Sequence, residues 1–274
     1  MRSKAPVAAP AAPAPARQGD EMLIDERRQH IFAILQSEGR VLVGDIARKL
    51  GISQITIRKD LDALQAKGLI LRTHGGALPA QTGALFDPSI QEKQQRHLQE
   101  KQRIATAAAK LVHEGQCVML DSGTTTTAVA HALKRFHQLT VITNAVNIAA
   151  ELTGTDFEVI LTGGTLRKNS FSLVGPLAED VLQEMHADVL FLGVDGLDLE
   201  AGVTTPNVLE SRVNRAMVKA ARTVVAVCDS TKFNRRSLSR IVSLSEIHHV
   251  ITDQAASAPI VEALRNHNIQ VTLV

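Results

Sequence analysis

A run of hydroxyl side chains and a glycine follows an apolar segment near the middle of the chain. Residues 121–127 read Asp-Ser-Gly-Thr-Thr-Thr-Thr, directly after the apolar residues 117–120. If a helix begins here, its first N–H groups are free and its dipole favours a bound anion. The Gly-Lys-Ser/Thr ending of a Walker A loop is missing, and so is the G-x-G-x-x-G dinucleotide fingerprint. The segment predicts a monophosphate site; the alternative is that the hydroxyl groups only cap the helix.

Polar residues also follow other apolar runs of the second half of the chain. The carboxyl ends of parallel strands form the ligand-binding edge of such a sheet. Carboxylates there could accept hydrogen bonds from sugar hydroxyls, and a lysine could hold a phosphate or carbonyl oxygen. The alternative is ordinary loop acids in salt bridges. The candidate ligand-binding residues are Asp121, Ser122, Gly123, Thr124, Thr125, Thr126, Asn144, Gly163, Gly164, Arg167, Asp195, Asp198, Glu210 and Lys232.

The segment 53–64 carries a second kind of chemistry. It is preceded by Gly51 and by an amphipathic segment at 43–50, and helix, short turn with glycine, helix is the helix-turn-helix layout. Arginine and glutamine can each bind a guanine or adenine edge through two hydrogen bonds. The predicted DNA contacts are Ser53, Gln54, Thr56, Arg58 and Lys59 on the helix, with Arg72 and His74 of a following hairpin touching the DNA backbone.

The charge pattern favours double-stranded DNA. The net charge of the chain is only +2, yet residues 48–72 contain six basic and two acidic side chains, a modest electrostatic footprint for DNA. The chain has no Trp, no Tyr and seven Phe. Proteins that bind single strands usually stack bases on aromatic rings, so duplex DNA is the expected nucleic acid.

The chain divides by composition into four parts. Residues 1–20 hold seven Ala and four Pro and predict a disordered tail. Residues 21–78 predict a winged helix-turn-helix domain, with helices from residue 25, at 43–50 and at 53–67, and a hairpin turning at Gly75 and Gly76. Residues 79–95 form a linker and the start of a connecting helix that runs to about 113. Residues 96–274 form the ligand-binding domain.

This last part predicts an α/β domain with a mostly parallel sheet. Short apolar runs alternate with helical segments, which is typical of strands buried on both faces. The fold class is therefore α/β, with an N-terminal winged helix-turn-helix. The predicted strands lie at 118–120, 139–143, 157–162, 189–194, 223–227, 249–252 and 269–274.

Several classes of protein are not expected. The spacing of Cys117 and Cys228 fits no metal site, and the histidines are scattered, so the sequence predicts reduced core thiols and no metal or cofactor. No apolar segment reaches the ~18 residues of a membrane helix, and the N-terminus lacks the apolar core of a signal peptide. A cytoplasmic protein is expected.

The motifs resemble those of the DeoR family of transcriptional regulators. The sensor half is similar to that family through Asp121-Ser-Gly-Thr, Thr143-Asn144, Thr162-Gly-Gly, Gly193-Val-Asp-Gly and Asp229-Ser-Thr-Lys-Phe. The chain departs from the usual acidic run of the family, since Leu209 and Arg212 stand in place of acids while Glu210 is kept. Residues 210–215, with Phe191-Leu-Gly-Val-Asp and Phe233-Asn-Arg, look most similar to the branch that regulates amino-sugar (N-acetylgalactosamine-type) operons. The DNA-binding signature of the family is matched by Arg27, Ile31, Leu35, Ser53, Thr56, Ile57, Arg58, Lys59, Asp60 and Leu61.

The resemblance implies a repressor of a sugar-utilisation operon. A phosphorylated sugar would release this repressor from its operator, and the protein would have no enzymatic activity. The sensor domain of the family is similar to ribose-5-phosphate isomerase, which implies phosphate at residues 123–126 and sugar contacts at Asp195, Asp198, Glu210 and Lys232. A homodimer or larger homo-oligomer is expected because one helix reads one half-site. The alternative is a sugar-phosphate isomerase-like enzyme with a DNA-binding module, in which Glu210 is the base.

Overall fold

The computed structural model describes residues 24–66, 70–73, 75–79 and 87–274. They belong to two compact units, and the division lies between residues 82 and 83. The predicted tail at 1–20, the wing residue His74 and most of the predicted linker lie outside the described residues.

The described residues of the first unit form three helices and a small antiparallel sheet in which β3 (Gly76–Pro79) lies between β1 (Val41–Leu42) and β2 (Ile70–Thr73). Gly51 ends the second helix at φ +67°. Gly76 is required because a Cβ there would lie 2.0 Å from the carbonyl oxygen of Val41. The predicted winged helix-turn-helix is confirmed. Its elements are α1 (Ile24–Glu38), β1 (Val41–Leu42), α2 (Val43–Leu50), α3 (Gln54–Ala66), β2 (Ile70–Thr73) and β3 (Gly76–Pro79).

The second unit contains a seven-stranded, fully parallel sheet in the order β15-β14-β12-β9-β4-β5-β6. Each of the seven predicted apolar runs forms one of its strands, so the predicted α/β class is confirmed. The strands are β4 (Cys117–Leu120), β5 (Thr140–Thr143), β6 (Glu158–Leu161), β9 (Ala187–Gly193), β12 (Ala221–Val227), β14 (His249–Thr252) and β15 (Gln270–Leu273).

Helices cover both faces of this sheet. On β4, Met119 packs in the cluster that includes α8, α9 and α10, whereas Val118 and Leu120 pack in the cluster that includes α5, α6 and α7. Alternate residues of a strand point to opposite faces of the sheet, so a continuous apolar run buries both faces of its strand. The helices are α4 (Ile90–Gln94), α5 (Leu98–Ala109), α6 (Thr124–Leu133), α7 (Val146–Leu152), α8 (Pro176–Gln183), α9 (Val208–Ala220) and α10 (Ala258–Asn266).

Some elements differ from expectation. The long helix predicted over residues 89–113 is two helices, α4 and α5, separated at His97, which has φ +52°. Short antiparallel strands were not predicted, since three or four residues carry little periodicity. They are β7 (Thr165–Arg167), β8 (Ser172–Val174), β10 (Gly196–Asp198), β11 (Gly202–Thr205) and β13 (Ser239–Val242).

Neither a membrane-spanning helix nor a cluster of metal ligands is found among the described residues. No described helix has both the length and the apolar composition needed to cross a bilayer. The same part of the chain groups no three His, Cys, Asp or Glu side chains in a way that could hold a metal ion.

Candidate functional site

The helix α3 presents a polar and basic outer face. Ser53 caps it, because its Oγ accepts a hydrogen bond from the Thr56 N–H at 3.1 Å and lies 2.9 Å from Thr56 Oγ1. Gln54, Arg58 and Lys59 are exposed; Gln54 and Arg58 lie one turn apart as neighbours on the helix surface, and Lys59 follows Arg58. Ser53 and Thr56 lie at the start of the helix, and the contact of all five residues with DNA stays a prediction.

Ile55 adds an apolar side chain to this face and was not among the predicted contacts. It is 66% exposed, beside Gln54 and one turn before Lys59. An exposed isoleucine among polar groups could contact a thymine methyl group, the apolar feature of the major groove. The sequence could have indicated this exposed position, because Ile55 does not fit the helical spacing of the apolar residues that face the core.

The acidic residues near this face are neutralised within the unit. Asp60 is 1% exposed; Arg27 donates to both of its carboxylate oxygens, at 2.6 and 3.2 Å, and Arg28 donates at 3.0 Å. The hydrogen bond that Arg27 donates to Asp60 raises the pKa of Arg27. Because the Asp60 charge is paired on the inner side, it does not cancel the basic outer face.

Arg72, the arginine of the wing, pairs with an acidic residue of its own unit. The Nε of Arg72 lies 3.3 Å from Asp62 Oδ1, and its buried Nη1 has no acceptor among the described residues. Arg72 is half-buried, so the guanidinium lies against α3. Its contact with the DNA backbone remains a prediction, and so does that of His74.

The predicted anion loop connects β4 to α6. The carbonyl oxygen of Gly123 accepts hydrogen bonds from the hydroxyl groups of Thr126 and Thr127 at 3.0 and 2.7 Å, so part of the hydroxyl run does cap the helix. Thr125 and Thr126 are buried, at 8% and 0% exposed. The N–H groups of the first turn of a helix have no partner within the helix, which leaves those at Gly123 to Thr125 for an anion.

A cavity of about 610 Å³ opens at this turn. Its size falls in the range of small-molecule pockets. Of the predicted ligand-binding residues, Thr124 lines it. It is bounded by α4, α5, α6 and α7, and its polar lining includes Gln94, Lys101, Gln102, Thr127 and Asn147.

Asp121 lies beneath the loop rather than on its surface. It is 1% exposed, and its carboxyl accepts hydrogen bonds from the Gly193 N–H at 2.9 Å and from Asn214 Nδ2 at 3.3 Å. Burial raises the pKa of Asp121 to about 8. Asn214 Oδ1 is buried without a donor among the described residues, and rotation of that amide would let it accept the proton of a neutral Asp121.

We expect Asp121→Asn to remove a pH dependence of stability. Between the unfolded pKa of 3.8 and the folded pKa of about 8, only the unfolded state ionises, so the free energy of unfolding falls as pH rises, by roughly 1.4 kcal/mol per pH unit. Urea denaturation followed by circular dichroism at pH 5 and pH 8 measures this. The wild type should lose several kcal/mol relative to the variant; parallel profiles would show an ionised Asp121. Exposed Asp156→Asn is the control.

Arg167 and Glu210 are brought together by the hairpin of β7 and β8. Arg167 Nη1 lies 3.2 Å from Glu210 Oε1, and its Nη2 donates to Asp87. Glu210 is 6% exposed; Ser170 and Ser172 also donate to its Oε1, the latter at 2.8 Å. The carboxylate is therefore held by three internal donors.

Asp195 and Lys232 belong to the same charged cluster. Lys93 Nζ lies 2.9 Å from Asp195 Oδ1, and Thr205 Oγ1 donates to Oδ2 at 3.0 Å. Burial alone would raise the pKa of Asp195, but the ammonium groups of Lys93 and Lys232 outweigh it, and the pKa is lowered. Burial lowers the pKa of Lys232.

Two lysines of this region were not predicted, since they lie in a polar segment typical of an exposed helix. Burial alone would lower the pKa of Lys93, but the charge and hydrogen bond of Asp195, together with the charges of Glu210 and Asp87, outweigh it and raise the pKa. Lys101 is 4% exposed and donates to the carbonyl oxygens of Lys93 and Arg96. Burial lowers the pKa of Lys101 to about 8.

Asp198 has its partners in the turn after β10. Its Oδ1 accepts from the N–H groups of Glu200 and Ala201, both at 2.9 Å, and lies 2.8 Å from Arg236 Nη2. The hydrogen bond from Arg236 lowers the pKa of Asp198. The carboxylate thus stabilises this turn, and its proposed contact with a sugar requires that Arg236 be displaced.

The other predicted residues shape the loops around the cluster. Asn144 is fully buried and donates to the Leu173 carbonyl at 3.2 Å, while its Oδ1 has no donor among the described residues. Gly163 and Gly164 have φ +72° and +114°, and a Cβ on Gly164 would lie 2.7 Å from the Val174 carbonyl oxygen. The conformations of both glycines set the position of the β7–β8 hairpin. Ser122 lies in the turn before α6.

Two family models match the two units. Residues 27–82 match a DeoR-like helix-turn-helix domain, and residues 96–254 match the DeoR C-terminal sensor domain. The chain belongs to the DeoR family. As a DeoR-family member it is a transcriptional regulator that combines a DNA-binding helix-turn-helix with a sensor domain.

Curated relatives carry the same architecture. An Escherichia coli O157:H7 protein described as an aga operon transcriptional repressor is 41% identical over 91% of this chain and 93% of its own. The glycerol-3-phosphate regulon repressor of Escherichia coli K12 is 32% identical over 90% and 98%. Among solved structures, ribose 5-phosphate isomerase A from Methanocaldococcus jannaschii is similar at 16% identity and a TM-score of 0.37, over 48% of this DeoR-family chain and 53% of its own.

Proposed function

We propose that this DeoR-family regulator represses an operon for the use of an amino sugar, and that a phosphorylated sugar releases it from its operator. The observation that carries the proposal is the cavity that opens onto the first turn of α6. A relative at 41% identity is described as an aga operon repressor, and another as a glycerol-3-phosphate regulon repressor. The latter name supports a phosphorylated effector.

The DNA-binding half of the proposal rests on the outer face of α3. In the major groove, Arg58 or Gln54 would read a guanine or adenine edge, Ile55 would contact a thymine methyl, and Lys59 would meet a phosphate. One such helix covers one half-site, and two half-sites lie about one helical turn apart, ~34–36 Å. The proposal therefore includes a homodimer or larger homo-oligomer that acts in the cytoplasm on duplex DNA.

The effector half rests on complementary chemistry around the cavity. The first turn of α6 offers N–H groups and the Thr124 hydroxyl to a phosphate. Lys101, Gln94 and Gln102 line the walls as donors, while the buried Asn147 Oδ1 has no donor among the described residues. An amino sugar can supply hydroxyl or N–H donors to that oxygen, whereas the phosphate meets the helix terminus.

The geometry favours binding over isomerisation. A base that abstracts a proton beside a carbonyl must be able to reach the substrate, and Glu210 is instead held by Arg167, Ser170 and Ser172. We therefore propose a regulator without enzymatic activity. A coupled assay with pentose and hexose phosphates should give no turnover, and detectable turnover would favour the isomerase alternative.

A thermal-shift screen against phosphorylated sugars tests the effector class. A ligand that binds only the native state raises the melting temperature. N-acetylgalactosamine 6-phosphate and galactosamine 6-phosphate should each raise it, their unphosphorylated forms should not, and the same phosphates should release a labelled operator. Equal shifts with the unphosphorylated sugars would contradict a phosphate site.

We expect the double substitution Thr124→Val and Thr125→Val to weaken effector affinity by at least about tenfold. A hydrogen bond to a charged group contributes about 1.5–3 kcal/mol, and valine keeps the shape of threonine without its hydroxyl. Calorimetry measures the affinity, and operator binding without sugar should be unchanged. Thr153→Val on the exposed end of α7 is the control, and unchanged induction in the double variant would place the phosphate elsewhere.

A further inference from the structure

The first described residues of the second unit are bound to its charged cluster. We call residues 87–94, which include α4, the strap. The Asp87 carboxylate accepts from Arg167, the Asp87 carbonyl accepts from Asn169 Nδ2 at 2.8 Å, and the Ile90 N–H donates to the Asn169 carbonyl at 2.8 Å. The strap is thereby held against the β7–β8 hairpin.

The far end of the strap is fastened in the same way. Lys93 pairs with Asp195 at 2.9 Å, and Lys101 donates to the Lys93 carbonyl at 2.6 Å. Both ion pairs of the strap thus involve candidate effector-binding residues, Arg167 and Asp195. The side chains in the Asp87–Arg167 pair are only 19% and 16% exposed, so solvent screens this contact less than a surface pair.

The strap also forms part of the cavity wall. Ile90 and Gln94 line the cavity together with Lys101 and with Thr124 of the α6 terminus. A ligand anchored at the α6 terminus therefore lies next to the strap. Phe171 of the β7–β8 hairpin lines the cavity as well, next to Ser172, which pairs with Arg167 in the hairpin. An anion at the α6 terminus therefore lies close to the hairpin that carries Arg167, where it would attract the guanidinium and repel the Asp87 carboxylate.

We propose that Asp87 competes with the anionic group of the effector for Arg167, and that effector binding releases the strap. This inference rests on the proposed function. A ligand shifts such an equilibrium only through its different affinity for the two arrangements. Here the difference arises because Arg167 Nη1 already binds Glu210, so the Nη2 that holds Asp87 is the group for which the effector would compete. The loss of the Asp87–Arg167 pair is the first step, and the strap is released when the bonds to Asn169 and the Lys93–Asp195 pair open as well.

Release of the strap reaches the DNA-binding unit through the chain itself. The strap begins five residues after the division between the units. Eight released residues span at most ~26–29 Å when fully extended, at 3.3–3.6 Å each. That length is comparable to the ~34–36 Å between half-sites, so a longer tether relaxes the spacing that fixes two reading helices on one operator.

The test uses the full chain with Asp87→Asn, which removes the competing charge and keeps the shape. Asp87→Glu retains the charge, and Asp156→Asn is an exposed control. We expect Asp87→Asn to bind N-acetylgalactosamine 6-phosphate and inorganic phosphate about tenfold more tightly in calorimetry, within the range of allosteric couplings. Its residues 87–94 should exchange amide hydrogens faster without added phosphate, and its operator affinity should fall. Asp87→Glu should behave as the wild type.

The outcomes separate the two proposals. Equal affinities in wild type, Asp87→Asn and Asp156→Asn, with unchanged exchange at residues 87–94, would overturn the role of Asp87 and leave the proposed function standing. If neither phosphate binds the wild type, the proposed function fails and the competition fails with it. Faster exchange in Asp87→Asn together with tighter phosphate binding supports the release of the strap.

Discussion

Replacement of Arg58 by alanine is expected to lower operator affinity by roughly 30-fold to 10⁴-fold. A two-point contact between arginine and a guanine edge contributes about 1–3 kcal/mol, and a dimer loses it in both half-sites. Arg58 is exposed on the outer face of α3, while its neighbour Ile57 is fully buried. The change therefore removes a DNA contact without removing a core side chain.

Fluorescence anisotropy with a labelled operator at fixed salt measures the loss. Arg222→Ala, which removes an exposed arginine of the sensor unit, should keep wild-type affinity. Both variants should bind the effector normally and keep their circular dichroism spectra. Wild-type operator affinity in Arg58→Ala would show that α3 does not read the operator, and an equal loss at all DNA sequences would assign Arg58 to a phosphate.

The sheet could be predicted from the sequence because a parallel sheet buries both faces of each strand. On β9, Leu190 and Leu192 face one helical layer, while Val189 and Phe191 face the other. Such strands become continuous apolar runs that are visible in the sequence. The hairpin of β7 and β8 has no such run, since its residues are mostly polar and its position depends on the φ +114° of Gly164.

The polar loops could be predicted as a group, but their pairings could not. Asp87 and Arg167 are 80 residues apart, and Lys93 and Asp195 are 102 apart. No local pattern in the sequence indicates which distant charge each group meets. For the same reason the sequence did not indicate that Asp198 Oδ1 is held by Arg236 and by the N–H groups of a turn, and its contact with a sugar stays a prediction.

The pairing of two residues of the family signature could not be predicted either. The sequence identifies Arg27 and Asp60 as signature residues, but it does not indicate that their side chains bind each other across 33 residues. The contact joins the first helix to the helix that carries Arg58. It therefore holds the buried side of α3 against α1.

Asp60→Ala is expected to destabilise the DNA-binding unit by about 3–5 kcal/mol, the usual cost of removing one partner from a buried ion pair. Arg27, with a side chain 12% exposed, would keep its charge without a counterion. A unit of this size has little stability in reserve, so amide exchange in α1 and α3 should rise by orders of magnitude, while the sensor unit keeps its melting temperature. Asp45→Ala removes the acid of an exposed pair with Arg48 and should cost at most about 1 kcal/mol. Equal exchange in the two variants would mean that the Asp60 pair does not hold α3 to α1.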